Sequence, residues 1–181
     1  MSPQVRELSC PHRRRGIRSI ILDYEAGTMS AVENKQLMQH IFNELAKGNG
    51  KAFIQSLADD FRWTIPGTTK WSRTYEGKQA VRTELLDPLF AQFADQYTNV
   101  AHRFIAEGDL VVVECRGKVT TKSSVPYNNT YCWICRITEG KLRELTEYMD
   151  TQLVATVLDD PPSRKDEPVP AHAATAAGHA R

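Results

Sequence analysis

The stretch that decides the fold is residues 126–150, PYNNTYCWICRITEGKLRELTEYMD. Apolar and polar residues alternate on both sides of Glu139-Gly140, and this period of two is typical of two β-strands joined by a hairpin turn. The same alternation begins upstream at Tyr97 and is interrupted by further turn residues at 107–109 and 122–125. The sequence therefore predicts an antiparallel meander of four strands, over 97–107, 109–121, 126–138 and 141–150.

The region before the meander is mainly helical. Leu37, Ile41 and Leu45 recur every four residues, and Ser30 with Glu33 forms a capping-box pattern at the start of this helix. The spacing also predicts a short helix over 51–58, a strand over 61–65, a helix over 77–93 kinked at Pro88, and a last helix over 151–158. Helices followed by a long twisted sheet predict an α+β fold, a cone-shaped barrel whose curved antiparallel sheet wraps around the N-terminal helices.

Composition divides the chain into three parts. Residues 1–28 contain several arginines and no periodicity, so we expect a disordered leader. Residues 29–158 carry all of the strong periodicity and form the predicted folded domain. Residues 159–181 are rich in Pro and Ala and cannot bury much apolar surface, which predicts a disordered tail.

Charge and apolar content exclude two classes of partner. The formal net charge is +1, and residues 29–158 hold fifteen basic and fifteen acidic side chains, so no basic surface for nucleic acid is expected. No apolar run approaches the roughly 18 residues of a membrane span. Cys132 and Cys135 are three positions apart on a predicted strand, where they point to opposite faces and cannot share a metal. We expect a reduced, cytoplasmic chain without a metal or a cofactor.

Strand alternation also predicts which side chains line a cavity under the curved sheet. An aromatic wall without a Gly-rich loop favours a small apolar or aromatic molecule over a phosphate. The predicted substrate-binding residues are Trp63, Phe104, Val113, Cys115, Asn129, Tyr131 and Leu145.

Two ionisable residues share the inward parity of these apolar positions, namely His102 and Glu147. Burial raises the pKa of a carboxyl and lowers that of an imidazole, which brings both towards the range where proton transfer works best. Glu147 is therefore the predicted general acid/base, with His102 as its catalytic partner. In the structural alternative, the carboxyl bonds a Tyr hydroxyl or Trp indole and the imidazole bonds a backbone carbonyl. Asp150 has the other parity and is expected to cap the last helix.

Several short motifs in the chain resemble those of one known superfamily. The chain resembles the nuclear transport factor 2-like superfamily over about residues 33–158, and within it the SnoaL-like branch, which is related to ketosteroid isomerases and polyketide cyclases. The motifs that carry this resemblance are Leu57-Ala58-Asp59-Asp60-Phe61, Glu107-Gly108-Asp109, Tyr127-Asn128-Asn129-Thr130-Tyr131, Glu139-Gly140-Lys141 and Glu147-Tyr148-Met149-Asp150.

The resemblance implies a homodimer and an acid on the last strand that assists proton transfer in polyketide cyclases, a position held here by Glu147. Ketosteroid isomerases would place an Asp at Ile65, a Tyr near Ile41 and an Asp near Cys132. Limonene epoxide hydrolases would place an Arg at Cys115 and an Asp at Gly117, and of that set only the carboxyl at Glu147 is present. The catalytic sets of these relatives are thus incomplete in this chain.

The favoured interpretation is a cofactor-independent enzyme of the isomerase, cyclase or hydratase type that acts on a small apolar molecule through Glu147. The sequence contains neither an H-E-x-x-H nor a G-x-S-x-G motif. The alternative is a non-catalytic small-molecule-binding or dimeric scaffold module of the same fold. An open cavity with Glu147 on its wall would favour the enzyme, whereas a carboxyl closed in by hydrogen bonds without space would favour the module.

Overall fold

A curved sheet of six strands organises the structure, a computed structural model that describes residues 29–162. The spatial order of the strands is β2-β1-β6-β5-β4-β3, so the sheet is not closed and β2 and β3 form its edges. Their bounds are β1 (Leu57–Thr64), β2 (Thr74–Glu76), β3 (Thr98–Glu107), β4 (Leu110–Lys118), β5 (Thr130–Thr138) and β6 (Lys141–Met149). The predicted leader and all of the predicted tail after residue 162 lie outside the described residues.

The meander from β3 to β6 is antiparallel, which confirms the prediction. The first strand departs from it, because β1 runs parallel to β6 and pairs on its other side with the short antiparallel β2. The strand β2 lies between the strand predicted over 61–65 and the helix predicted over 77–93, where the sequence analysis expected neither a helix nor a strand. The β5–β6 turn places both Glu139 and Gly140 at positive φ, 53° and 71°, as the tight hairpin connection requires.

The helices cover the concave face of this sheet. They are α1 (Ala31–Leu45), α2 (Lys51–Ser56), α3 (Lys78–Ala80), the π-helix π1 (Val81–Leu86), α4 (Asp87–Phe90) and α5 (Thr151–Val157). The capping box predicted for α1 is present, with Glu33 N–H donating to Ser30 Oγ and the Glu33 carboxylate accepting from Ser30 N–H. None of the helices within residues 29–162 is long and apolar enough to cross a membrane.

The predicted kinked helix over 77–93 takes a different form. Pro88 has no backbone N–H, and the turn directly before it is π-helical, with Asp87 N–H bonded to the carbonyl of Arg82. This wider turn lets the consecutive residues Leu85 and Leu86 both be buried. Together with Leu89 of α4 they form an apolar surface opposite the sheet.

An irregularity in β3 changes which residues face the helices. Ala101 pairs with Cys115 and Arg103 pairs with Glu114, so His102 is an extra residue without a partner on β4. Such a bulge shifts the alternation of side chains by one position. Asn99 therefore points inward and is fully buried, whereas His102 is exposed. The prediction that His102 points inward was wrong for this reason.

Candidate active site

A cavity lies between the concave face of the sheet and the helices α2, π1, α4 and α5. Its volume is about 110 Å³, whereas a single water molecule needs only about 10–15 Å³. Phe90 lines it and is 47% exposed, so the cavity reaches the surface at α4. The volume is sufficient for a small organic molecule, and most of the wall is apolar or aromatic.

The carboxyl group of Glu147 is part of this wall. Glu147 lies on β6 opposite Trp133 of β5 and is only 6% exposed. Its Oε1 accepts a hydrogen bond from Trp133 Nε1 at 2.8 Å, and its Oε2 accepts one from Trp63 Nε1 at 3.0 Å. Burial raises the pKa of Glu147 to about 7, and the two indole N–H groups limit this rise. Near neutral pH this group can both accept and release a proton.

The two indoles that hold Glu147 are themselves fixed by aromatic packing. The rings of Trp63 and Trp133 meet nearly edge to face, with 5.7 Å between their centroids. Phe53 of α2 packs against both, at 5.6 Å from each. Such edge-to-face contacts favour one ring orientation, so the carboxyl is held in one position relative to the cavity.

Three tyrosines supply hydroxyl groups to the same cavity, namely Tyr97, Tyr127 and Tyr131. The hydroxyl of Tyr131 interacts with those of Tyr97 and Tyr127, and Tyr127 also accepts a hydrogen bond from Asn129 Nδ2 at 3.2 Å. Burial raises the pKa of all three phenols, and the nearby Glu147 carboxylate raises it further. The tyrosines therefore stay protonated at neutral pH and can donate hydrogen bonds to a ligand.

One further polar side chain faces the cavity, the carboxamide of Asn99 at the start of β3. It is 0% exposed, and neither Oδ1 nor Nδ2 has an oxygen or nitrogen hydrogen-bond partner among the described residues. The amide interacts with the buried thiol of Cys115 by a hydrogen bond that counteracts the rise of the thiol pKa, but sulfur is a weak donor and a weak acceptor. The site thus combines a carboxyl with a raised pKa, several hydroxyl donors and an amide whose contact is with a weakly bonding thiol.

A comparison with models of known protein families identifies the family of this chain. Residues 38–145 match the family model described as a SnoaL-like domain, which is more than half of the chain. The chain belongs to the SnoaL-like family. A search of curated proteins finds no match to this SnoaL-like chain.

Three solved structures are similar in fold to this SnoaL-like domain. An NTF2-like protein of unknown function from Burkholderia pseudomallei has a TM-score of 0.60 at 20% identity and covers 71% of this chain and 98% of its own. A candidate SnoaL-like polyketide cyclase from Jannaschia sp. CCS1 has a TM-score of 0.59 at 18% identity, covering 73% and 95%. An LEH-like epoxide hydrolase from M. tuberculosis has a TM-score of 0.54 at 17% identity, covering 67% and 86%. At these identities the similarity establishes the cone-shaped α+β fold.

The predicted site residues of the SnoaL-like domain separate into two groups. Glu147, Trp63 and Tyr131 lie together on the cavity wall. The other predicted substrate contacts are not among the lining residues. Val113, Cys115 and Leu145 are buried in the core, Phe104 packs against Phe42 at 5.8 Å, and Asn129 bonds the backbone of Asp150. His102 is exposed on the other side of β3 and is not brought to Glu147.

Sequence reasoning missed the polar group at Asn99 and the helical part of the wall. The bulge at His102 is invisible in the sequence, so the alternation placed Asn99 on the outer face. The apolar spacing of Leu85 and Leu89 signals a buried helix face but not a cavity beneath it. Within residues 29–162, no group of His, Cys, Asp or Glu side chains is placed to hold a metal ion.

Proposed function

We propose that this SnoaL-like protein is an enzyme of the isomerase, cyclase or hydratase type, in which Glu147 transfers a proton on a small, mostly apolar substrate. The observation that carries the proposal is a buried carboxyl with a pKa of about 7 on the wall of a cavity large enough for a small molecule. A group that titrates near neutral pH is the most effective general acid/base at that pH. The tyrosine hydroxyls beside it supply the second requirement, stabilisation of negative charge.

The proposed step is the removal of a proton from a carbon next to a carbonyl group. A carboxylate oxygen of Glu147 takes the proton, the C–H electron pair moves into the new carbon–carbon double bond, and the carbonyl oxygen gains the negative charge. Tyr97 or Tyr131 donates a hydrogen bond to that oxygen, because burial keeps these phenols protonated. In a substrate with a carbon–carbon double bond next to the carbon that loses the proton, the negative charge extends over that double bond. Glu147 then returns the proton to the far carbon of the double bond, which moves the double bond next to the carbonyl and restores the carboxylate.

The names of the structural neighbours support a proton-transfer reaction without selecting one substrate. A polyketide cyclase and an epoxide hydrolase are named among proteins of this fold. Epoxide hydrolysis is the less favoured choice for this chain, because the resemblance places an Arg and an Asp at positions where Cys115 and Gly117 stand. Cys115 is fully buried, and burial raises its thiol pKa well above the ordinary value.

The test is proton exchange on a bicyclic ketone, 2-tetralone, followed by ¹H NMR in D₂O. We expect the wild type to exchange the protons next to the carbonyl faster than buffer does, with a rate that rises with pH through about 7. Glu147→Gln should lower the enzyme-catalysed rate by about 100-fold or more. Glu144→Gln is the matched control, since Glu144 lies on the same strand but pairs with Arg136 and Arg62 outside the cavity. Exchange at the wild-type rate in Glu147→Gln would refute the proposal.

One observation favours the second candidate, a binding module without catalysis. Both carboxyl oxygens of Glu147 already accept an indole N–H, as a purely structural carboxyl would. Each oxygen keeps acceptor capacity beyond that one bond, so the carboxyl can still reach a ligand. Saturable binding of 2-tetralone without any exchange above buffer would support the module instead of the enzyme.

A further inference from the structure

We propose that Asn99 is the specificity-determining residue of the cavity, and that it selects ligands carrying a hydrogen-bond donor and an acceptor side by side, as in a cis-amide or lactam. The remainder of the ligand is apolar and planar, as the aromatic wall requires. The inference deepens the proposed function and rests on it for the cavity being the substrate site. It concerns binding, however, and can be tested without turnover.

The fully buried amide of Asn99 lacks strong hydrogen-bond partners. Asn99 is 0% exposed, and no oxygen or nitrogen of residues 29–162 forms a hydrogen bond with either of its side-chain polar atoms, which leaves only the weakly bonding Cys115 thiol. Leaving a buried amide unpaired is unfavourable, and native structures rarely do so without a reason. A ligand edge with an N–H and a C=O would satisfy Nδ2 and Oδ1 together, which a hydrocarbon ligand cannot do.

Asn99 differs from the other buried asparagines among residues 29–162. Asn129 is equally buried, but it donates to Tyr127 Oη and to the Asp150 carbonyl and accepts from Asp150 N–H. Asn34 donates to the carbonyl of Gly108 and does not line the cavity. Asn99 alone of these three combines a place on the cavity wall with an unpaired donor and acceptor.

The fold places the Asn99 amide beside a tyrosine hydroxyl. The bulge at His102 turns Asn99 inward, and its pairing partner on β4 is Gly117. A Cβ at position 117 would lie 2.5 Å from the hydroxyl oxygen of Tyr97, so the glycine leaves room for the tyrosine beside Asn99. The ligand edge at Asn99 therefore lies next to a phenol hydroxyl that can supply one more hydrogen bond.

Asn99 is displaced from Glu147 both across and along the strands. Asn99 is on β3 and Glu147 on β6, three strands away in the sheet. The residue of β3 in register with Glu147 is Phe104, five positions further along the strand than Asn99. Because strands are about 4.8 Å apart and rise about 3.3 Å per residue, a bicyclic molecule held at Asn99 does not have to contact Glu147. Binding at Asn99 can therefore be measured separately from proton transfer at Glu147.

The test compares two bicyclic probes that differ in one donor, 2-quinolone and N-methyl-2-quinolone. Dissociation constants are measured by protein-observed NMR titration. We expect the wild type to bind 2-quinolone about tenfold more tightly, as one lost hydrogen bond with a buried polar group implies. Asn99→Leu and Asn99→Ala should each bring the ratio to about one. Glu144→Gln, at a residue that pairs with Arg62 and Arg136 outside the cavity, should keep the wild-type ratio. Because this binding is measured without turnover, a failure of this inference is distinguished from a failure of the proposed catalysis.

Thermal unfolding of the unliganded protein gives an independent readout. Removing an unpaired buried amide should raise the melting temperature of Asn99→Leu by about 3 °C. A residue with only a structural role would lower it, as the matched variant Asn129→Leu is expected to do. Wild-type affinities for the two quinolones that agree within about threefold, or a preference retained in Asn99→Leu and Asn99→Ala, would overturn the inference.

Discussion

The cavity wall at the start of β3 and the junction between β6 and α5 use buried polar groups in opposite ways. Each contains a fully buried asparagine, Asn99 in the wall and Asn129 at the junction, and Gly117 separates the two. Gly117 pairs with Asn99 and donates its N–H to the Asn129 carbonyl at 2.9 Å. Asn129 has oxygen and nitrogen partners for its amide, whereas within residues 29–162 the amide of Asn99 has only the weakly bonding thiol of Cys115. The two equally buried asparagines thus differ in role: Asn129 stabilises the fold at the junction, and Asn99 is available to the proposed ligand at the wall.

The buried polar groups of the junction fix the start of helix α5. Asp150 is the N-cap of α5, and its carboxylate accepts from Leu153 N–H at 3.0 Å, as predicted from the sequence. Asn129 holds the backbone of the same residue from the other side. Val154 and Leu158 then lie on the cavity wall, so the junction positions one side of the site.

The largest expected effect on stability comes from disrupting the junction between β6 and α5. Asn129→Leu removes the partners of Asp150 N–H, the Asp150 carbonyl and the Tyr127 hydroxyl. We expect the free energy of unfolding to fall by about 3 kcal/mol. Urea denaturation measures it, with Asn128→Leu in the same loop as the control. A loss below about 0.5 kcal/mol would mean that the junction does not differ from the wall.

The next effect concerns the pH dependence of stability, to which the wall contributes through Glu147. Its folded-state pKa of about 7 lies above the ordinary value of 4.5. Between these values the folded state retains a proton that the unfolded chain has lost. The contribution of Glu147 to the free energy of unfolding therefore falls as pH rises from 4.5 to 7, by up to about 3 kcal/mol, and stays low above pH 7.

This dependence is measured by urea denaturation of the wild type and Glu147→Gln at several pH values. The variant has no titrating group at this position, so the difference in unfolding free energy, variant minus wild type, should increase between pH 4.5 and 7. The difference is more informative than either curve, because other groups titrate equally in both proteins. A constant difference over this range would show that the carboxyl keeps an ordinary pKa.

A smaller effect is expected from substituting Gly117, which lies between the cavity wall and the junction. In Gly117→Ala the new Cβ would lie 2.5 Å from the Tyr97 hydroxyl oxygen, so the ring must move. We expect a loss of about 2 kcal/mol in unfolding free energy, as is typical of overpacking. Gly50→Ala is the matched control, since a Cβ at Gly50, also on the cavity wall, meets nothing within 4 Å. Equal stability of the two variants would contradict the proposed fit of Tyr97.

The smallest effect separates the two indoles that hold Glu147. Each N–H stabilises the charged carboxylate, so removing either should raise the pKa of Glu147, and Trp133 has the larger influence. Trp133→Phe should raise this pKa by about one pH unit and Trp63→Phe by less. ¹³C NMR of the Glu147 carboxyl carbon follows the titration. Trp71→Phe is the control, because Trp71 donates to the Asp159 carbonyl instead, and there the pKa should stay unchanged.

The sequence predicted the inward orientation of side chains on β5 and β6 correctly, because these strands are regular over the residues concerned. Alternation holds from Tyr131 to Trp133 and from Leu145 to Met149, so the inward orientation of Glu147 follows from parity alone. The same rule placed Cys132 and Cys135 on opposite faces, and Cys135 is buried while Cys132 is partly exposed. Local periodicity is sufficient where each residue has one partner across the strands.

The prediction from alternation was wrong on β3, because the extra residue at the bulge reverses which face of the sheet the residues before it point to. His102, which was expected to face inward, is exposed. Asn99 is the polar residue that faces the cavity instead. The parallel pairing of β1 with β6 also has no local signal, since it depends on how the ends of the domain meet. The π-helical turn before Pro88 could not be predicted from helical spacing either, because it depends on packing against the sheet.

The parallel pairing of β1 with β6 has a consequence for the order in which the protein assembles. Trp63 and Glu147 are 84 positions apart, yet their hydrogen bond helps to set the proton affinity of the carboxyl. Contacts of such long sequence separation form slowly, because a large loop must close before they are made. A nascent or partly opened chain, in which β6 has not met β1, therefore carries an ordinary surface carboxyl. The raised pKa of Glu147 therefore requires the closed sheet, and molecules in which β1 has not met β6 lack the proposed acid/base group.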